Sequence, residues 1–303
     1  MSIIGILQGT AIKNSVVGPV RVAGKRLVSI SIYVILAFGP ACSLHAQTPR
    51  TAPRSGFVFY EEHRIGIFES QRWVNSAEPE VSPSGICDCI TIVYLGSRRV
   101  LTIDPGTVMS SEIDPRSGRD INGDKVPEII VSQYTGGAHC CSSTTVYSVS
   151  EEPKMILHVD SGNCAGDFDD LDHDGKLEFV VCDDAWAYER CPFANSPMPR
   201  VVYAYSPTVG RYVPATPRYW ERFQQSITQS VAQAEKDLAD PNRDKDLDIC
   251  TVLGPVLDLM YAGKLDEGVA LLRRLYRQAN GSALEQETVE KVRRSSHWTA
   301  SAP

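Results

Sequence analysis

Between Arg54 and Val213 the apolar residues fall in short runs: 56–60, 90–95, 99–103, 128–132, 144–149, 155–159, 177–182 and 200–206. Each run is rich in Val, Ile, Tyr and Thr and is bounded by Gly, Pro, Asp or Ser. That is the pattern of β-strands joined by turns. No apolar spacing of helical length interrupts them, so residues 55–213 are predicted to be an all-β domain.

The period changes after Pro214 and Pro217. Residues 219–238 read as a helix with a mostly polar surface. Leu253, Val256, Leu257 and Met260 recur at helical spacing, and Leu265, Val269, Leu272 and Tyr276 follow at steps of four, three and four. Gly263 separates the two stripes and Asn280-Gly281 closes the second. Residues 214–298 are therefore predicted to be a helical region containing a hairpin, whose apolar stripes face each other or the β domain. The hairpin is similar to a single tetratricopeptide unit, and one unit falls short of the three or more that make a solenoid.

The first 46 residues have a different character. They hold Lys13, Arg21, Lys25 and Arg26, no Asp or Glu, and an apolar run over 27–39. A basic stretch, a short apolar core and a small-residue exit at Ala46 predict a secretory signal over 1–46, with 47–54 as a linker. A signal anchor and a lipoprotein at Cys42 are the competing readings. Loss of four basic residues and no acidic ones takes the net charge from −7 to −11. So acidic a chain is a poor match for nucleic acid or an anionic membrane. No later segment is apolar enough to span a bilayer, and oligomeric state is not legible. Cys87, Cys89, Cys140, Cys141, Cys164, Cys182, Cys191 and Cys250 remain, an even number that predicts disulfides in an oxidising, periplasmic or extracellular compartment. Cys164 and Cys182 are placed to close one unit. Cys250 is placed to tether the helices to the β domain. Cys87 and Cys89 share a strand face without needing to pair, and adjacent Cys140 and Cys141 are expected to bridge to separate partners.

Two acidic loops carry the candidate chemistry. In DINGDKVPE, Asp120, Asn122, Asp124, Val126 and Glu128 occupy positions 1, 3, 5, 7 and 9. In DLDHDGKLE, Asp170, Asp172, Asp174, Lys176 and Glu178 occupy the same positions. Alternate carboxylates in a curled loop, a backbone carbonyl at position 7 (Val126, Lys176) and a closing carboxylate at position 9 form a hard oxygen shell suited to calcium. Position 12 is Val131 or Val181, not the Glu of an EF-hand, and each loop runs into a strand. Gly175 at position 6 makes the second loop the better expected site, since the first has Lys125 there. Asp240, Asn242, Asp244, Asp246 and Asp248 alternate similarly but precede no strand, and Pro241 suits a helix link.

Both loops resemble the FG-GAP or VCBS-type repeats of integrin-like β-propeller proteins, in which an acidic calcium loop leads directly into a strand. The resemblance covers about residues 110–210. It implies two structural calcium ions, held by Asp120, Asn122, Asp124 and Glu128 and by Asp170, Asp172, Asp174 and Glu178. Because the β region is long enough for only about three such units, and propellers have four or more, the expected fold is mainly β: a partial propeller-like antiparallel sheet assembly with a C-terminal α-helical appendage.

Two further clusters raise enzymatic alternatives. His139-Cys140-Cys141, after Gly136-Gly137, invites a thiol or metal site, although no spaced Cys/His set completes a zinc site. Asp167, Asp169, Asp183 and Asp184 crowd the second loop and could serve a carboxylate-dependent hydrolase acting on polysaccharide or peptidoglycan, with Trp186, Tyr188 and Trp220 as candidate surface aromatics. No nucleophile elbow, P-loop or dinucleotide fingerprint occurs. The sequence thus points first to an exported, non-enzymatic calcium-binding structural or binding module with a protein or polysaccharide partner.

Overall fold

The computed structural model describes residues 50–80, 87–104, 110–137 and 142–301, and the chain from Ala46 onward forms one unit. The predicted leader and the His139-Cys140-Cys141 cluster lie outside the described residues.

Twelve described strands form three antiparallel four-stranded sheets. The first is β1 (Phe57–Ile65), β2 (Phe68–Asn75), β3 (Cys89–Leu95) and β4 (Arg98–Ile103), in that order across the sheet. The second is β5 (Ser110–Ile113), β6 (Glu128–Tyr134), β7 (Ser142–Val149) and β8 (Pro153–Gly162). The third is β9 (Asp167–Asp169), β10 (Glu178–Cys182), β11 (Arg200–Ser206) and β12 (Arg211–Pro214). Each sheet is an up-and-down meander of neighbouring strands. Among the described residues they close into neither a barrel nor a ring.

The burial pattern shows how the sheets stack. On β6, Ile129 and Val131 pack with Phe68, Val93, Val100 and Ile103 of the first sheet. Ile130, one residue out of phase, packs instead with Phe179, Val181 and Val201 of the third. A strand alternates its side chains between two faces, so a sheet covered on both needs a continuous apolar run, and EIIV supplies one. Full burial of Ile129 and Ile130 is worth about 1.5–3 kcal/mol each.

The far face of the third sheet, with Leu171, Val202, Ala204 and Ala215, meets Tyr219 and Phe223. The helices follow: α1 (Trp220–Ala239), α2 (Asp248–Tyr261), α3 (Leu265–Leu275) and α4 (Gly281–Arg294). The predicted hairpin is α2–α3. Gly263, at φ +79°, ends α2, where Lys264 N donates to Leu259 O. Gly268 lets the two helices meet, because a Cβ there would lie 2.6 Å from Met260 Cγ. The stretch from Asp240 to Asp248 is a helix link, with Arg243 on Asp248 at 2.7 Å and Asp244 capping a 3-10 turn.

Three disulfides occur among the described residues. Cys164–Cys182 brackets the second acidic loop and Cys191–Cys250 ties the β10–β11 connection to α2, both as expected. Cys87 and Cys89 bond to each other instead of remaining strand neighbours. Extended residues two apart stand about 6.6 Å apart; a bend at Asp88, whose carboxylate accepts from Asn75 Nδ2, brings these Cα atoms to 5.3 Å.

Candidate metal centre

Both acidic loops join the first and second strands of their sheets, β5 to β6 and β9 to β10, so they hold equivalent places in two meanders. Their internal bonding is similar, with the first aspartate accepting from positions 4 and 6 in one loop and from 5 and 6 in the other. Asp120 accepts from the backbone N–H groups of Gly123 and Lys125, and Asp170 from those of Asp174 and Gly175. Asp124 accepts from Val126 N at 2.8 Å and Asp174 from Lys176 N at 2.9 Å. At position 9, Glu128 accepts from Ile121 N at 2.9 Å and Glu178 from Leu171 N at 3.0 Å.

Positions 4 and 6 have positive φ in both loops: Gly123 (+81°) and Lys125 (+69°) in one, His173 (+61°) and Gly175 (+84°) in the other. Each loop therefore places one glycine and one non-glycine residue in left-handed geometry. The advantage expected for the second loop from Gly175 is balanced by His173.

The carboxylates of Asp120, Asp124 and Glu128 bring oxygens within 4.8 Å of one another, as do those of Asp170, Asp172 and Asp174. Oxygens at such separations can share one ion at the calcium–oxygen distance of about 2.4 Å. Asn122 is buried and bridges the first loop, donating to Glu128 Oε1 at 3.0 Å while its own oxygen accepts from Asp124 N. Val126 and Lys176 stand at matching places on the loop backbones. Glu178 is buried beneath the second loop but falls outside its converging trio.

The electrostatics differ. Glu128 is fully buried, and burial first, with Asp124 and Asp120 beside it, pushes its pKa up to about 8 against the hydrogen bonds from Ile121 and Asn122. Glu178 is raised mainly by burial. No described basic side chain pairs with the first trio. In the second loop Lys176 Nζ lies 2.5 Å from Asp174, and Arg218 lies 2.7 Å from Asp172.

The loops also touch, a contact the sequence did not reveal. Leu177 N donates to Ile121 O at 2.7 Å, and the stem of Lys176 crosses Gly123, where a Cβ would lie 2.8 Å from Lys176 Cε. Tyr205 donates to Asp124 from the third sheet. Nearby, Arg116 bonds Asp114, Asp167 and Phe168 O, joining the second and third sheets.

The carboxylates considered for hydrolysis are dispersed. Asp183 is buried at the junction with the helices, accepting from Tyr261 at 2.5 Å, Ser295 at 2.6 Å and Ala185 N. Asp184 accepts from Asn163 and Asp167 pairs with Arg116, while Asp169 is exposed at the end of β9. Trp186 is buried and donates to Tyr261, Tyr188 stacks on Phe193, and Trp220 begins α1 beneath Lys264.

Fold and site together define a mainly antiparallel β protein with a four-helix C-terminal region and two adjoining carboxylate clusters able to hold a metal ion. The chain is 26% identical, over 153 residues, to the "Probable thylakoid lumen protein" of Synechocystis sp., a match covering 50% of this chain and 44% of that protein. No protein-family profile and no solved structure matches the chain. No described helix is long and apolar enough to cross a membrane.

Proposed function

We propose that this is an exported calcium-binding protein, in which ions in the two acidic loops brace a β domain that serves as a structural or binding module. The observation that carries this reading is the paired site: carboxylates converging from positions 1, 5 and 9 of one loop and from 1, 3 and 5 of the other, in loops at equivalent places in two sheets, bonded edge to edge. Three clustered carboxylates in the first loop, one of them fully buried, repel one another, and a divalent cation relieves both the repulsion and the cost of burying Glu128. The resemblance to FG-GAP and VCBS repeats points the same way. Export is supported by the leader-like first 46 residues, by the disulfides and by the lumenal designation of the relative.

The first loop is the stronger site. Its trio includes the closing carboxylate and meets no described basic side chain, whereas an ion in the second loop competes with Lys176 and Arg218. Calcium titration by calorimetry tests the assignment. Glu128→Gln is expected to weaken the tighter site at least tenfold, and Asp172→Asn to affect only the weaker one. Unchanged isotherms for both variants would refute it.

A further inference from the structure

A cleft of about 540 Å3 lies between the first and second sheets, lined by residues of β1, β2, β3 and β5. It begins where the apolar core between those sheets stops. Along one face of β2 the residues run Phe68, Ser70, Arg72. Val93 of β3 and Ile113 of β5 belong to the core with Phe68, whereas Thr91 and Ser111, each two residues along, line the cleft. Three strands thus replace a large apolar side chain with a small hydroxylated one at the same end of the core, and the space this leaves is the cleft. Ser70 and Thr91 are each only 6% exposed on its floor. Ser111 Oγ is buried there without a hydrogen-bond partner among the described residues.

An ionic group crosses this floor. Arg72 Nη1 lies 2.8 Å from Glu61 Oε1, and its Nη2 donates to Ser111 O at 3.1 Å across the gap between the sheets. His63 Nε2 lies 3.0 Å from Glu61 Oε2. Arg72 stands opposite both Glu61 and Thr91 in the strand register, so the three share one face. The lining holds two acids, Glu61 and Glu112, and two bases, Arg64 and Arg72, and with His63 neutral its formal charges cancel. Such a lining offers a charged ligand no net charge to neutralise. An apolar ligand would cut Ser111 Oγ and the remaining Arg72 donors off from water without replacing their bonds. The chemistry that matches is neutral and rich in hydroxyls.

We infer that this cleft binds a neutral sugar, free or at the end of a glycan. A hydroxyl both donates and accepts, whereas the Glu61 carboxylate only accepts and the Arg72 guanidinium only donates. Neighbouring sugar hydroxyls meet that pair side by side, and another bonds Ser111 Oγ. Ile65, Ile113 and Pro115 supply apolar contact for the C–H face of the ring. A cleft of this volume lies within the usual range of small-molecule sites. The competing role for Glu61 and Arg72 is a polar strut between the sheets, and that alternative predicts no sugar binding. The inference names a ligand for the binding module proposed above and rests on that part of the reading alone. It is separate from the calcium loops, so sugar binding without calcium binding would leave it standing.

The test is titration calorimetry of the disulfide-intact protein with glucose and galactose, each alongside its uronic acid and its amino sugar. At least one neutral sugar is expected to bind, and more tightly than either charged counterpart. Ser111→Ala should weaken that binding about fivefold, the scale of one neutral hydrogen bond. Its melt should not fall, because Ser111 Oγ has no protein partner to lose. Glu61→Gln leaves Arg72 unbalanced and should turn the preference towards the uronic acid. No binding of either neutral sugar, equal binding of the charged counterparts, or an unchanged affinity in Ser111→Ala would overturn the inference.

Discussion

At the residue scale, the loop ligands were legible because their chemistry is local: alternate oxygens, a curl and a closing carboxylate leave a fixed spacing. What surrounds them was not. Arg116 is 51 residues from Asp167, and Arg218 is 46 from Asp172, so neither partnership leaves a spacing to read. Arg116 makes a testable case. Burial alone would raise the Asp114 carboxyl, but the hydrogen bonds and charge of Arg116 outweigh it and hold the group below its ordinary value. A carboxyl depressed in the folded state contributes stability that is present above its unfolded pKa and lost as the pH falls through the folded value. Arg116→Lys loses the forked geometry that joins Asp114, Asp167 and Phe168 O, and should cost about 2 kcal/mol at neutral pH. Chemical denaturation of both proteins from pH 7 to pH 2.5 should show that gap narrowing below about pH 4. A gap independent of pH would assign the cost to packing.

A second residue-scale prediction concerns the basic side chain over the second loop. Removing the ammonium in Lys176→Ala frees Asp174 and should tighten calcium binding at the weaker site by several-fold, read by titration calorimetry. Weaker binding would mean that the lysine stem, packed over Gly123, shapes the loop more than its charge opposes the ion.

At the element scale, the strands legible in the sequence were those buried by their own apolar runs, such as β3, β6 and β11. Four strands were missed, each for a physical reason. β2 (FESQRWVN) buries Ser70 and Gln71, so its sequence shows no apolar alternation. β5, β9 and β12 have only four, three and four residues, and tertiary pairing specifies them more than propensity does. α4 carries its buried stripe on Leu284, Thr288 and Val292 alone, too thin a signal to separate from a polar tail. The α2–α3 hairpin carries two apolar stripes at helical spacing, and Gly268 shows what holds it. Replacing an interior helical glycine with alanine ordinarily stabilises a helix by about 1 kcal/mol. Here the added methyl meets Met260 and Val256 O, so Gly268→Ala should destabilise by about 1–3 kcal/mol. A urea melt measures this, and a stabilised variant would show that the helices can separate without cost.

At the scale of the whole molecule, three open sheets and a helical layer share continuous cores, with Asp183, Tyr261 and Ser295 joining the last sheet to the helices. In a ring-closed propeller each blade is braced by two neighbours. Here the second and third sheets meet along their acidic loops, through Leu177 N to Ile121 O, so an ion at either loop would stiffen the seam between sheets. Binding to the folded state alone adds about 2.7 kcal/mol per site at a hundredfold excess over Kd, or about 5–10 °C for a chain of this size. The direct test of the central claim is a pair of thermal melts on the mature, disulfide-intact protein, one in calcium and one in chelator, with metal analysis of the dialysed sample. The account predicts retained calcium and a melt lowered by at least that amount in chelator, with Glu128→Gln abolishing most of the difference. Superimposable melts and no bound calcium would contradict it.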